Sequence, residues 1–222
     1  MPVICIGGEK GGVGKTTVST NIAVSFAEAG KDVLIVNTDK QDTVGAWAAI
    51  REEKYPKNSR INTVTLLGNT VTKGIRDLVD RYEIIIVDAA GHDSIEQRQA
   101  MVVSDILLIP TRPTSFDVWA LETVNNLINQ VHGINADLKT GIFTNQVPTN
   151  SVNKKRKDMK ELMKSYPEIK LFNTILTFRS SYQDAAGEGL SVMEFWRSDA
   201  QAKSEIHFLL EDITSLLGEQ LS

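Results

Sequence analysis

The sequence predicts an α/β domain built on a mostly parallel, twisted sheet with helices on both faces. Three observations predict it. Short, continuous apolar runs recur along the chain, amphipathic segments of helical period separate them, and a glycine-rich turn joins the first run to the first such segment. A strand that is apolar on both sides has both faces buried, as parallel strands covered by crossover helices do.

Strands are expected at residues 3–7, 33–37, 61–66, 84–88, 106–110, 139–144 and 170–176. Each is short, apolar or β-branched, and bounded by turn residues. Helices are expected at residues 15–29, 44–54, 73–82, 94–103, 116–132, 153–166 and 200–217. The last carries Ile206, Leu209, Leu210, Ile213, Leu216 and Leu217 at helical spacing, so it should pack on the body. No internal repeat, low-complexity stretch or linker interrupts the pattern, and residues 1–222 read as a single domain. No room is expected before the first strand for a separate helix-turn-helix domain.

Composition sets limits on function. With 222 residues, 41% of them hydrophobic, the chain can bury a substantial core. Lys and Arg number 24 against 28 Asp and Glu, a net charge of −4. That excludes a uniformly basic coat, so any nucleic-acid contact must come from a local patch. Cys5 is the only cysteine and lies in the run Val3-Ile4-Cys5-Ile6, where it reads as core filler. An intrachain disulfide is excluded. No apolar stretch approaches the roughly 20 residues that span a bilayer, and a cytoplasmic protein is expected.

The decisive segment is Glu9-Lys10-Gly11-Gly12-Val13-Gly14-Lys15-Thr16-Thr17, which follows an apolar strand and opens a helix. Glycines let backbone N–H groups converge on phosphate oxygens, and a helix N-terminus adds partial positive charge. Lys15 supplies a point charge to the β- and γ-phosphates, and the Thr16 hydroxyl would sit on Mg²⁺. Thr17 is placed to contact a phosphate nearer the ribose. Glu9 occupies the first glycine of the strict G-x-x-x-x-G-K-[ST] pattern. The fold is therefore expected to be that of a P-loop NTPase.

Lys10-Gly11-Gly12-Val13-Gly14-Lys15-Thr16-Thr17 resembles the deviant Walker A box of the ParA/MinD superfamily, specifically small ParA proteins without an N-terminal helix-turn-helix domain. The resemblance implies ATP and Mg²⁺ as cofactors, with contacts from Gly11, Gly12, Val13, Gly14, Lys15, Thr16 and Thr17. It also implies an ATP-dependent homodimer, in which Lys10 reaches across to the partner's phosphates and neutralises charge during phosphoryl transfer. Outside this octet Lys10 would read as an exposed loop lysine.

The carboxylates follow. Asn37-Thr38-Asp39-Lys40-Gln41, after the second strand, resembles the family segment D-x-D-P-Q, with Asn37 and Lys40 as departures. The resemblance makes Asp39 the residue that orients the attacking water and contacts the metal shell. Asp88 ends the apolar run Ile84-Ile85-Ile86-Val87 and reads as the Walker B metal ligand. Gly91 completes Asp88-Ala89-Ala90-Gly91, a D-x-x-G arrangement whose amide would sense the γ-phosphate. His92 is more often a plain loop residue than a base. Thr144-Asn145-Gln146-Val147 lacks the lysine and aspartate of the guanine motif N-K-x-D. It resembles the family's strand-end asparagine, which would set Asn145 against adenine; a turn residue is the alternative.

Further matches run through Ile109-Pro110-Thr111-Arg112-Pro113-Thr114-Ser115-Phe116-Asp117, through Phe178-Arg179-x-x-Tyr182-x-x-Ala185 and through Gly189-Leu190-Ser191-Val192-x-Glu194. The first lies near the dimer interface in the family. Residues 153–164 carry Lys154, Lys155, Arg156, Lys157, Lys160 and Lys164 against Asp158 and Glu161, a local excess of four positive charges. Such a patch can hold duplex DNA by its phosphates without reading bases. A solvated helix face is the plainer alternative. Arg179 is a second DNA candidate, by resemblance.

The function expected is a partition or positioning ATPase. ATP closes a dimer that binds non-specific double-stranded DNA, so the protein is nucleoid-associated in that state. A ParB-like or other small activating partner stimulates hydrolysis and release, segregating plasmid or chromosomal cargo. Two alternatives share the fold. A MinD-like membrane-cycling ATPase needs a basic amphipathic terminal helix, but residues 209–220 hold acids and no Lys or Arg. A metabolic ATP-dependent enzyme would show a second-substrate constellation, and none stands out.

Overall fold

The computed structural model describes residues 1–8, 10–56, 61–91, 94–112, 118–197 and 199–218. Strands β1 (Val3–Ile6), β2 (Val33–Asn37), β3 (Ile61–Thr65), β4 (Ile84–Asp88), β5 (Ile106–Thr111), β6 (Lys139–Val147) and β7 (Lys170–Thr177) form one sheet. Their order is β3-β2-β4-β1-β5-β6-β7, and every pairing is parallel. The sheet expected to be mostly parallel is thus parallel throughout the described residues. All seven strands stand where the apolar runs place them, and β6 extends three residues further.

The helices among the described residues are α1 (Lys15–Glu28), α2 (Thr43–Lys54), α3 (Val71–Leu78), α4 (Ile95–Val102), α5 (Val118–His132), α6 (Val152–Leu162), α7 (Ser180–Gly187) and α8 (Ala200–Leu217). Short 3₁₀ turns, Val79–Arg81 and Met163–Ser165, carry α3 and α6 close to their expected ends. Alternate strand residues feed two cores, because successive side chains point to opposite faces. Ile4, Ile6, Ile35 and Ile86 pack with α1, α2, α7 and α8. Val3, Leu34, Val36 and Ile85 pack with α3, α4, α5 and α6. Cys5 is fully buried in the second core, and burial pushes its thiol up to about 12, as filler rather than a reactive group. Ile206, Leu209, Ile213 and Leu217 of α8 are buried, so its apolar face is committed to the body.

Pro110 lies inside β5, where a missing N–H normally breaks a ladder. Its position explains the tolerance. β1 accompanies β5 only to the Ile6–Leu108 pair, so Pro110 has a single registered neighbour, Phe143 of β6. From β1 the chain runs outward to β2 and β3, returns to β4 beside β1, and then crosses to β5, β6 and β7 on the other side of β1. Parallel sheets bind ligands at the carboxyl ends of strands beside such a reversal.

Candidate functional site: a phosphate loop with a buried carboxylate

β1 delivers the chain into the loop that ends at Gly14, where α1 begins. Gly14 adopts φ 89° and offers α1 no side-chain cap. Three other helices are capped by side chains: α2 by Asp42, α4 by Ser94 and α8 by Asp199. An N-terminus left without a side-chain acceptor suits an anion. Lys15 is only 7% exposed, and its Nζ donates to the carbonyl oxygen of Lys10 at 3.0 Å. Burial pulls the Lys15 pKa down, and the nearby carboxylates of Asp88 and Asp39 oppose that pull. Lys10 itself is exposed.

Beneath the loop, Asp88 ends β4 and is 2% exposed. Thr16 Oγ1 donates to one carboxylate oxygen at 2.7 Å and Ser19 Oγ to the other at 2.8 Å. Thr16 and Ser19 lie one turn apart on α1, so both hydroxyls face the strand. Burial raises the Asp88 pKa to about 6, against the two hydroxyl bonds and the Lys15 charge, which favour the ionised form. Thr16 and Asp88 form an oxygen pair that fits Mg²⁺, which takes one or two protein ligands and completes its shell with phosphates and water. Among the described residues no group of three or more His, Cys, Asp or Glu stands ready to cage a metal alone.

Asp39 follows β2 and is half-buried, with Oδ1 accepting from the Gln41 N–H at 2.9 Å. Its charge reaches Lys15 and Asp88, so the three groups share one electrostatic neighbourhood. Gly91 lies against the loop. A Cβ there would fall 2.9 Å from Gly11 Cα and 3.3 Å from Gly11 N. Glu9, His92 and residues 113–117 lie outside the described residues.

Side chains from three segments distant in sequence hold the loop's backbone. Gln97 of α4, 1% exposed, accepts the Gly8 N–H at 3.0 Å. Asn145 Nδ2 donates to Val13 O at 2.8 Å, while its Oδ1 accepts the Gln146 N–H. Arg112, beyond β5, donates to Gly12 O and to the Gln146 side-chain oxygen. Asn145 thus grips the loop, in addition to lining a small neighbouring cleft. Thr17, Gln146, Phe178, Arg179 and Tyr182 also line that cleft. Ser19, Gln97, Arg112 and Gln146 were not singled out by the sequence as site residues. Ser19 alone carried a usable signal, its one-turn spacing from Thr16.

The candidate DNA residues divide in two. On α6, Lys154, Arg156, Lys157 and Lys160 are exposed and Lys155 is half-buried, while Met159, and Met163 in the turn that follows, face the core. Arg179 is engaged instead, with Nε 3.2 Å from Glu205 and Nη1 3.1 Å from Asp199. No helix among the described residues is long and apolar enough to cross a membrane.

Fold and loop together define a nucleotide-binding protein of the P-loop class. Residues 4–192 match the CobQ/CobB/MinD/ParA nucleotide binding domain, and the chain belongs to that family. It is 26% identical over 211 residues to the maintenance of carboxysome distribution protein A of Halothiobacillus neapolitanus, covering 92% of each chain. The fold is shared with an ATP complex of a McdA variant from Cyanothece (TM-score 0.74, 15% identity, 98% of this chain and 96% of that one). It is also shared with septum site-determining protein MinD from Pyrococcus horikoshii, complexed with Mg-ADP (TM-score 0.69, 17% identity, 99% and 98%).

Proposed function

We propose that this chain is an ATP-driven positioning switch, which closes as a homodimer on Mg-ATP, holds duplex DNA non-specifically, and lets go after hydrolysis. The observation that carries the reading is the buried Asp88 carboxylate, bridged by Thr16 and Ser19 of the helix that starts at the phosphate loop. Mg-ATP supplies the transferable γ-phosphoryl group and a cation that offsets its charge. Gly11, Gly12, Val13 and Gly14 give backbone donors, Lys15 a charge on the β- and γ-phosphates, and Thr17 a hydroxyl further along. Thr16 and Asp88 would hold the cation, and Asp39 would orient the attacking water. Lys10, exposed at the rim, serves the partner's phosphates. The Gly91 amide senses the γ-phosphate, and Asn145 meets the adenine edge.

α6 supplies the DNA surface through Lys154, Lys155, Arg156 and Lys157. Two copies in a dimer double the patch, so DNA affinity follows nucleotide state by avidity. Arg179 contributes less, because Glu205 and Asp199 offset its charge. The protein works in the cytoplasm on the nucleoid, with a small ParB-like activator. Its cargo is a plasmid, a chromosomal region or a protein assembly; the H. neapolitanus relative is named for carboxysome distribution. A membrane-cycling role gains no support from α8, whose apolar face is buried.

Lys15→Ala and Asp39→Ala test the chemistry. The first should lose ATP binding in calorimetry. The second should bind ATP and dimerise in light scattering, yet turn over at least about tenfold more slowly. Tight ATP binding by Lys15→Ala, or normal turnover by Asp39→Ala, contradicts the assignment.

A further inference from the structure

Asn37 ends β2 beside Asp88 of β4 and is 1% exposed. Its carboxamide binds the turn that follows on two sides. Oδ1 accepts the Asp39 N–H at 3.0 Å, and Nδ2 donates to the Asp39 carbonyl at 2.9 Å. Nδ2 also donates to Asp42 Oδ1 at 2.8 Å and stands 3.3 Å from Thr65 Oγ1 on the neighbouring β3. Asp42 Oδ1 in turn accepts from Thr65 Oγ1 at 3.2 Å and caps α2 through the Gly45 N–H at 3.3 Å.

Asp42 is held in an uncommon conformation, φ 47° and ψ 42°, that aspartate and asparagine tolerate better than most residues. A Cβ on Gly45 would fall 2.3 Å from Asp42 Oδ2, so only glycine lets this carboxylate lie across the first turn of α2. One amide therefore fixes both the main chain of Asp39 and the cap of α2. A carboxylate at position 37 would set acceptor against acceptor at Asp42 and at the Asp39 carbonyl. It would also place two negative charges at hydrogen-bond distance.

We propose that Asn37 is a positioning residue for Asp39, and that this chain needs an amide there because Asp42 supplies the opposing carboxylate. The proposal rests on Asp39 acting on the attacking water. Asn37 touches no reacting atom; it sets the angle at which Asp39 enters the site, so its loss should lower kcat and leave KM for ATP nearly unchanged.

The test compares Asn37→Asp, Asp42→Ala and the double exchange Asn37→Asp/Asp42→Asn in the full chain. In the exchange, amide and carboxylate trade places. Asparagine suits both the backbone conformation and the helix cap at position 42. Two readouts are taken: amide hydrogen exchange at Asp39 and Gly45 without nucleotide, and kcat with KM at saturating Mg²⁺. Asn37→Asp should speed exchange at both amides by about tenfold or more. It should cut kcat by about tenfold with KM within about threefold. The double exchange should recover part of both losses, because it restores a donor–acceptor pair between positions 37 and 42 while the carboxylate at 37 still faces the Asp39 carbonyl. Asp42→Ala should speed exchange at Gly45 even if Asn37→Asp fails to fold.

Exchange and turnover unchanged in Asn37→Asp, a double exchange no better than the single, or an unaltered Gly45 in Asp42→Ala overturns the proposal. If the unsubstituted protein hydrolyses no ATP, the functional reading fails while the exchange data still judge the amide pairing.

Discussion

The side-chain amide of Asn145 donates to the main-chain oxygen of Val13 at 2.8 Å, tying the end of β6 to the phosphate loop across 132 residues of sequence. The contact is close-fitting: a Cβ on Gly14 would fall 2.6 Å from the same nitrogen. Asn145→Ala removes the donor and leaves a buried carbonyl to find water. A lost bond of this kind costs about 1 kcal/mol of stability. ATP affinity should fall by about tenfold in calorimetry, because the loop no longer meets phosphate preorganised. Unaltered affinity contradicts this role.

Gly91 gives a steric test of the same loop. An added methyl group meets Gly11 backbone, which cannot rotate away as a side chain would. Gly91→Ala should shift the loop, weaken ATP binding by about tenfold and cost about 1–3 kcal/mol of stability. Calorimetry and urea unfolding measure the two effects.

Asp88 carries a pH signature in protein freed of metal and nucleotide. Its pKa rises from an ordinary 3.8 to about 6, chiefly by burial. The folded state therefore binds this proton more tightly than the unfolded state. The resulting stabilisation is fully present below about pH 4 and is lost as pH rises through about 6. Asp88→Asn abolishes the dependence. From pH 4 to pH 7 its stability relative to the unsubstituted protein should improve by roughly 3 kcal/mol at most. Urea unfolding in EDTA at both pH values reads the difference; equal differences at the two pH values contradict it.

Two ion pairs between α2 and the α7–α8 region should differ sharply. Arg51 meets Glu194 through both terminal nitrogens, at 2.8 and 2.6 Å, with the Arg51 side chain 8% exposed. It also donates to Gly189 O and lies over the Trp47 ring. Lys54 and Glu188 pair with side chains 43% and 40% exposed. Glu194→Ala strands a buried charge and should cost about 3–5 kcal/mol, whereas Glu188→Ala should cost under about 1 kcal/mol. Paired unfolding curves decide it.

Much of the sheet was legible because its strands are apolar on both faces; Ile84-Ile85-Ile86-Val87 needs no partner to be read as buried. The extra length of β6 was not legible. Asn145 and Gln146 are polar, Gln146 adopts φ 56°, and the register to β7 shifts there. α7 was missed because Ser180–Gly187 is mostly small or polar, and only Ser181, Tyr182 and Ala185 are buried. Its place is set by tertiary contact, such as the Tyr182 hydroxyl to Glu205 at 3.0 Å. In the site, the loop and Asp88 were readable because strand, turn and helix adjoin in sequence. Gln97 and Arg112 reach the loop from 89 and 100 residues away, a relation that composition and spacing do not encode.

On the proposed function, nucleotide state controls a DNA-binding surface on α6. The most direct measurement is binding to random-sequence duplex DNA with Mg-ATP, with Mg-ADP and with neither, at one fixed moderate salt concentration. Binding should be at least about tenfold tighter with Mg-ATP. That binding should weaken as salt rises and be largely lost in Lys154→Glu/Lys157→Glu. Equal affinity in all three states, no binding in any, or full binding by the charge-reversed protein contradicts it.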